Sequence, residues 1–281
     1  LGAGVGPHVR GKPVRLGGRM SNARSNPSAT SVREHLETLR DVLVLFVEIF
    51  RRFPRHPWRW KEIHQSIVTM GIASIPIISI ATAFAGLVVT AEIAWHMDKV
   101  LHTVSMIPGV TGQFILRELG IAIPALLLVA KVGASLTAEV GTMKVTEQID
   151  ALKLLRIDPI DYLVFPRFIA SIVSITCMIF FSIAVTLLCA IGVSVSRFHF
   201  STLEFINALR PFIGLDDLFG ALIKGLVFGS IIPVVSCAYG FRCRGGAEGV
   251  GTATTNSVVT ATILIILFDF LLTFVFTSLF R

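Results

Sequence analysis

The sequence predicts an all-α integral membrane protein, an N-terminal interfacial amphipathic helix followed by five transmembrane helices. Three observations carry that expectation. Hydrophobic residues make up 53% of the 281 residues, and charged residues only 15%, against roughly 25% charge in a soluble domain. The mean hydropathy is +0.77. Apolar runs of about 20 residues, the length needed to cross hydrocarbon as a helix, recur along the chain. The net charge of +7 does not indicate a nucleic-acid binder, because 12 of the 25 Lys and Arg lie in residues 1–61. A basic segment before the first apolar run suits anionic lipid head groups and a cytoplasmic N-terminus.

In chain order, residues 1–31 come first; they are rich in Gly, Pro, Ser, Asn and Arg and read as a disordered basic segment. Residues 32–61 read as an interfacial helix and elbow. Val32, Leu36, Leu39 and Leu43 recur at helical spacing, while the apolar stretch before Phe50 is too short to span and contains Glu48. Pro54 and Pro57 end the helix, and Trp58 and Trp60 favour the head-group level. The membrane-spanning body is 62–281. Its spans are expected near Ile67–Trp95, Gln113–Ala138, Tyr162–Val195, Leu218–Tyr239 and Ala253–Phe280, with Pro124 kinking the second. Residues 96–112, 139–161, 196–217 and 240–251 are left as connections.

The connection 139–161 holds a short amphipathic helix at about 145–157. Thr146 is placed to cap it, and Ile149, Leu152 and Leu155 share a face that Leu154 broadens. Asp158-Pro159 stops it. Lys144, Lys153, Arg156, Arg242 and Arg244 put 139–161 and 240–251 on the cytoplasmic side with the N-terminus. Five spans then put the C-terminus on the opposite, periplasmic side.

Ionisable residues inside apolar runs are expensive and face a bundle interior or a cavity. Those here are Glu92, Arg117, Glu118, Lys131, Glu139, Lys224 and Asp269. Lys224 is a partner for Asp269 across helices, while Lys131 either snorkels inward or pairs with Glu139, about two turns along the same helix and a long reach. Gly133, Gly141, Gly225 and Gly229 are candidates for close helix packing, the last two as GxxxG. The four cysteines lack metal spacing and read as small buried hydrophobes. The GGAEGVG stretch from Gly245 lacks the GK[ST] of a phosphate-binding loop. The chain therefore carries no cofactor or metal of its own. It reads as no enzyme by itself, and any ATP is bound elsewhere.

Several long motifs resemble the MlaE/YrbE family of lipid ABC-transporter permeases. They are Arg117-Glu118-Leu119-Gly120, the run from Leu126 through Val129 to Leu152, Tyr162 to Arg167, Lys224-Gly225, and Gly245 to Val259. The likeness covers about 35–281. It implies a homodimeric permease in a bacterial inner membrane and a cytoplasmic ABC ATPase dimer that binds ATP and magnesium. It also implies a STAS-domain protein on that ATPase in some systems, a hexameric MCE-domain conduit outside, and phospholipid or a related lipid as cargo. It further implies a coupling helix at Glu147, Gln148, Ile149, Asp150, Ala151, Leu152 and Leu155, and a lipid cavity near Arg117 and Glu118. Ile121 stands where the family has proline, and Lys131 where it has arginine. The rival readings are an ion-gradient-driven transporter using Glu118, Lys224 and Asp269, and a membrane scaffold that moves nothing.

Overall fold

The computed structural model describes residues 40–49, 51, 59–99, 102–198 and 200–279. The expectations for the basic segment 1–31, for residues 32–39 of the interfacial helix, for its elbow at 52–58 and for Arg281 lie outside the described residues. Among the described residues all regular structure is helical. Helix α1 occupies 40–49. Five long helices are long and apolar enough to cross a membrane. They are α2 (Trp60–Lys99), α3 (Val104–Val145), α5 (Ile160–Phe198), α7 (Leu215–Phe241) and α8 (Gly246–Leu279). Two short helices join them, α4 (Gln148–Leu154) and α6 (Thr202–Leu209).

The long helices extend beyond the expected spans, for local reasons. The expected loop 96–112 is largely helix, because α2 continues to Lys99 and helix resumes at Val104. Ile107, Pro108, Gly109 and Gly112 are buried there, and a Cβ on Gly109 or Gly112 would strike Phe212 or Leu209. Tertiary contact fixes a segment whose composition reads as a turn. The expected turn 240–251 shrinks to Arg242–Gly245, and Gly246 opens α8. Gly245 and Gly246 take φ of 88° and 71°, values that suit glycine.

Inside the bilayer apolar burial no longer drives association, so packing and interhelical hydrogen bonds must. The core shows that economy. Phe165, Phe168, Phe228 and Ile232 fill the space between α3, α5 and α7. The closest approaches fall on small residues. A Cβ on Gly229 would lie 2.7 Å from the Ile172 Cα, and one on Gly225 3.2 Å from that of Thr176. Gly133 and Gly141 have looser surroundings, 3.4 Å from the Ser236 Oγ and 3.5 Å from the Cys243 Sγ. Several buried hydroxyls donate to a carbonyl one turn back, as Thr82 does to Ile78 (2.7 Å) and Thr137 to Gly133 (2.9 Å), whereas those of Ser171, Thr176 and Ser236 have no such partner among the described residues.

Two helices depart from regular α geometry. In α2 a tight turn at Ile72–Ser74 separates Trp60–Met70 from Ile75–Lys99. Pro76 comes just after it and has no N–H for the Ile72 carbonyl. In α3, Pro124 lies inside the helical stretch Gly120–Leu128, between two π-type turns, Ile115–Leu119 and Val129–Gly133. The third span opens on a π-type turn at Ile160–Val164 and then runs unbroken to Phe198.

Helix α1 packs Val42, Leu45 and Ile49 into the core and leaves Leu43, Val44 and Val47 exposed. Its Asp41 pairs with Arg242 at 2.6 Å. That fixes α1 at the end of the bundle where α7 turns into α8. Cys237 and Cys243 are buried, but Cys177 is exposed, against the expectation of a buried hydrophobe.

Candidate functional site

Two groups of charged residues lie along α3, one at its first π-type turn and one at its α4 end. At the α6 end, the first π-type turn of α3 carries Arg117 and Glu118. A π-type turn accommodates one extra residue, which lets two consecutive side chains serve different neighbours. The Arg117 Nε donates to the Asp217 Oδ1 at 2.7 Å, while Asp217 accepts from the Gly214 N–H at 3.0 Å as it closes the first turn of α7. The side chain of Asp217 is only 7% exposed, whereas that of Arg117 is 48% exposed. The terminal guanidinium nitrogens of Arg117 have no partner among the described residues.

Glu118 points the other way, into the bundle. Its Oε1 accepts from the Thr273 hydroxyl at 2.8 Å and lies 3.4 Å from the Lys224 Nζ. Lys224 is the hub. Its ammonium donates to the Arg117 carbonyl at 2.8 Å and lies 2.7 Å from the Asp269 Oδ1, the latter a close ion pair rather than a well-aligned hydrogen bond. With a side chain 4% exposed, Lys224 ties α3, α7 and α8 together through one charge. The pairing of Lys224 with Asp269 suggested by the sequence is thus present, and Glu118 joins it. A cavity of about 300 Å³ opens beside this cluster, lined by Arg117, Glu118, Lys224 and Thr273 with apolar Leu116, Ile121 and Phe276. Ile121, the residue in place of the family's proline, therefore forms part of its wall. Asp216 and Asp217 also line the cavity, so the wall carries both signs of charge, with the terminal nitrogens of Arg117 as its free donors.

At the other end of α3 the expectations for the short helix need correction. Thr146 does not cap its start. The helix α3 runs on through Glu139 to Val145, and the Thr146 hydroxyl donates back to the Thr142 carbonyl at 2.7 Å. Glu147 makes the turn at φ 61°, and α4 has only seven residues. The apolar stripe also divides. Ile149 is buried against the bundle and Leu152 packs partly against it, while Leu154 and Leu155 are 86% and 70% exposed. The stripe splits because helix contact with its own bundle consumes the inner positions. Asp150 is held by Lys144 at 3.0 Å and Lys153 at 3.1 Å, and these hydrogen bonds, Lys144 first, hold its carboxyl below the usual range.

The remaining charges are placed differently. Glu92 lies on an exposed face of α2 near His96, 3.9 Å away, and belongs to neither cluster. Lys131 does not pair with Glu139, contrary to the expectation, because eight residues along α3 is about 12 Å. Lys131 donates instead to the Ala73 carbonyl of α2. Glu139 takes Arg167 of α5 at 2.6 Å. Among the described residues no group of His, Cys, Asp and Glu is arranged to hold a metal ion.

Sequence reasoning missed Asp217, Thr273 and Arg167 as partners, and the bond between the Thr137 and Ser257 hydroxyls at 2.8 Å. A signal existed for Asp217, an acid in the first turn of an apolar run whose opposite number at the same depth is Arg117. Nothing local marks Thr273.

Comparison with known proteins fits this architecture. The family described as permease MlaE matches residues 63–275. The chain is similar to a probable ABC transporter permease protein of Synechocystis, 38% identical over 203 residues, 72% of this chain and 77% of that one. It is similar to one of Rickettsia typhi, 35% identical over 211 residues, 75% and 81% of the two chains. It is also similar to one of the red alga Porphyra purpurea, 34% identical over 232 residues, 82% and 87%. The match runs from the start of α2 into the last turns of α8 and takes in both polar clusters, so this chain belongs to the MlaE family of ABC-transporter permeases.

Proposed function

We propose that this chain is the membrane subunit of a complex that moves phospholipid or a related lipid, powered by a separate cytoplasmic ABC ATPase dimer. Two copies of the chain form the translocation unit in a bacterial inner membrane, with the N-terminus cytoplasmic and the C-terminus periplasmic. ATP and magnesium bind to the ATPase, on which a STAS-domain protein sits in some systems. A hexameric MCE-domain protein receives or delivers lipid on the outer side. The observation that carries the proposal is α4. Its inner face is fixed on the bundle by Ile149, while Leu154 and Leu155 stand exposed on the same short element. A rigidly based helix with an unpartnered apolar tip transmits a push, because motion of its partner cannot be absorbed by α4 itself.

Glu147, Gln148 and Asp150 shape this element rather than its contact face. Glu147 makes the turn, and Asp150 is tied to two lysines. At the other end of α3, the apolar walls take acyl chains and the free donors of Arg117 take a phosphate. Each methylene withdrawn from water contributes about 0.8 kcal/mol, so a two-tailed lipid needs a continuous apolar route. The cluster of Glu118, Lys224 and Asp269 is also what an ion-driven transporter would use. Its ammonium is fully engaged, however, which favours a clamp over a proton carrier.

The test is co-purification of the ATPase with single variants of α4. Leu154→Asp is expected to release the ATPase while the chain remains folded and monodisperse. Undiminished co-purification of Leu154→Asp and of Leu155→Asp would remove α4 from the contact.

A further inference from the structure

A second polar cavity, of about 450 Å³, lies on the other side of α3 between α2 and the start of α5. We propose that it is a phosphate site for the head group of a phospholipid in the cytoplasmic leaflet, separate from the cavity at Arg117. Its wall carries Lys131, Arg167, Gln65, Ser66, Thr69 and Ser135. Two carboxylates are also present, and each is already matched. Glu62 pairs with Arg59 at 2.8 Å and Glu139 with Arg167 at 2.6 Å. Arg59 also stacks on Tyr162, its guanidinium carbon 4.1 Å from the ring centre. The surplus charge is Lys131, whose ammonium has a single backbone carbonyl and no carboxylate among the described residues.

A cation within an apolar span is costly unless it has a counter-charge. The remaining donors of Lys131 open into a cavity that holds hydroxyl and amide groups, which is the donor set a phosphate diester accepts. On the topology proposed above, the cavity opens toward the head groups of the cytoplasmic leaflet. From Glu139 to Lys131 the cavity follows α3 inward by about 12 Å, starting from the end of the bundle that carries α4 and Tyr162. Geometry also agrees. Lys131 sits in the π-type turn Val129–Gly133 and meets α2 at its tight turn Ile72–Ser74. Both helices are irregular where a ligand would enter.

The experiment uses the full chain carrying Arg117→Ala in every arm, so that the cavity beside α7 is removed from the measurement. Failure here therefore leaves the transport reading intact. Phosphatidylglycerol and phosphatidylethanolamine retained through detergent purification are counted per chain by mass spectrometry. Lys131→Gln is expected to lower retention about tenfold or more, the loss of a charge-assisted contact, and Lys131→Arg to restore it. Ser135→Trp, at an exposed position, blocks the cavity by bulk alone and is expected to do the same. If lipid retention is unchanged but radiolabelled inorganic phosphate binds the delipidated chain and is lost in Lys131→Gln, free phosphate is the ligand and the lipid assignment falls. If neither probe depends on Lys131 or Ser135, there is no phosphate site.

Discussion

Lys224 offers the sharpest test of the cluster, because its partners differ in kind. Replacing it with Met removes the cation and leaves Asp269 and Glu118, with side chains 16% and 32% exposed, without a counter-charge. Removing one partner of a buried ion pair costs about 3–5 kcal/mol. The adjoining cavity lets water reach Glu118, which argues for the lower end. Asp269→Asn is milder. Lys224 keeps the Arg117 carbonyl at 2.8 Å and Glu118 at 3.4 Å. The loss is then that of one charged contact, about 1.5–3 kcal/mol. The double variant Lys224→Met with Asp269→Leu leaves only Glu118 to satisfy, which the Thr273 hydroxyl holds at 2.8 Å. It is expected to be less damaged than Lys224→Met alone. The assay is reversible unfolding in mixed micelles, followed by far-ultraviolet circular dichroism as denaturing detergent is raised. An Asp269→Asn cost equal to or above that of Lys224→Met would refute Lys224 as the hub. So would a Lys224→Met cost below about 1 kcal/mol, the range of a solvent-exposed pair.

Two further predictions rest on other contacts. Gly229→Ala forces a Cβ to within 2.7 Å of the Ile172 backbone and is expected to cost about 1–3 kcal/mol in the same unfolding assay. Gly220→Ala, which meets open space, is expected to be neutral or to stabilise by up to about 1 kcal/mol; equal effects would dismiss the α5–α7 contact as tight. Asp150 has its carboxyl lowered by Lys144 and Lys153, so its contribution is present above the unfolded value and is lost as pH falls through the lower folded one. Protection factors at 148–154, which allow for the slower intrinsic exchange of amides in acid, are expected to fall in the wild type as pH drops through the lowered Asp150 value, and Asp150→Asn is expected to be less protected already at neutral pH with no further acid step. A wild-type acid profile that persists unchanged in Asp150→Asn would show that another group governs α4.

Much of this was legible in the sequence because hydrocarbon admits few solutions. A chain this poor in charge has to satisfy its backbone internally, so five apolar runs become five helices. Charges embedded in them must find each other, which is why Lys224 and Asp269 could be paired unseen. What escaped was whatever depends on contact at a distance. The segment 104–112 has Pro and Gly and reads as a turn, yet Leu209 and Phe212 press on it and hold it helical. The face of α4 was correct in periodicity and incomplete in meaning. Spacing shows that Ile149, Leu152 and Leu155 align, but not that the bundle takes the first two and leaves the last outside. The link between Lys131 and Glu139 failed for the same reason, since a backbone carbonyl on α2 leaves no trace in a pattern of side chains.

The irregular turns of α3 connect these points. A regular helix advances about 100° per residue, so an extra residue in one turn rotates everything beyond it relative to what precedes it. The turn at Ile115–Leu119 lets Arg117 face Asp217 and the cavity while Glu118 faces Lys224 and Thr273. The turn at Val129–Gly133 then sends Lys131 to α2, while Gly133 and Thr137 remain against Ser236 and Ser257 on α7 and α8. One helix thereby presents donors to three neighbours on different sides, which a regular α-helix with the same residues would not do without moving its small residues off their contacts. Each distortion of α3 carries a charged residue that bonds to a neighbouring helix, Arg117 to α7 and Lys131 to α2. The same helix lines both cavities, and it leads through the turn at Glu147 into α4.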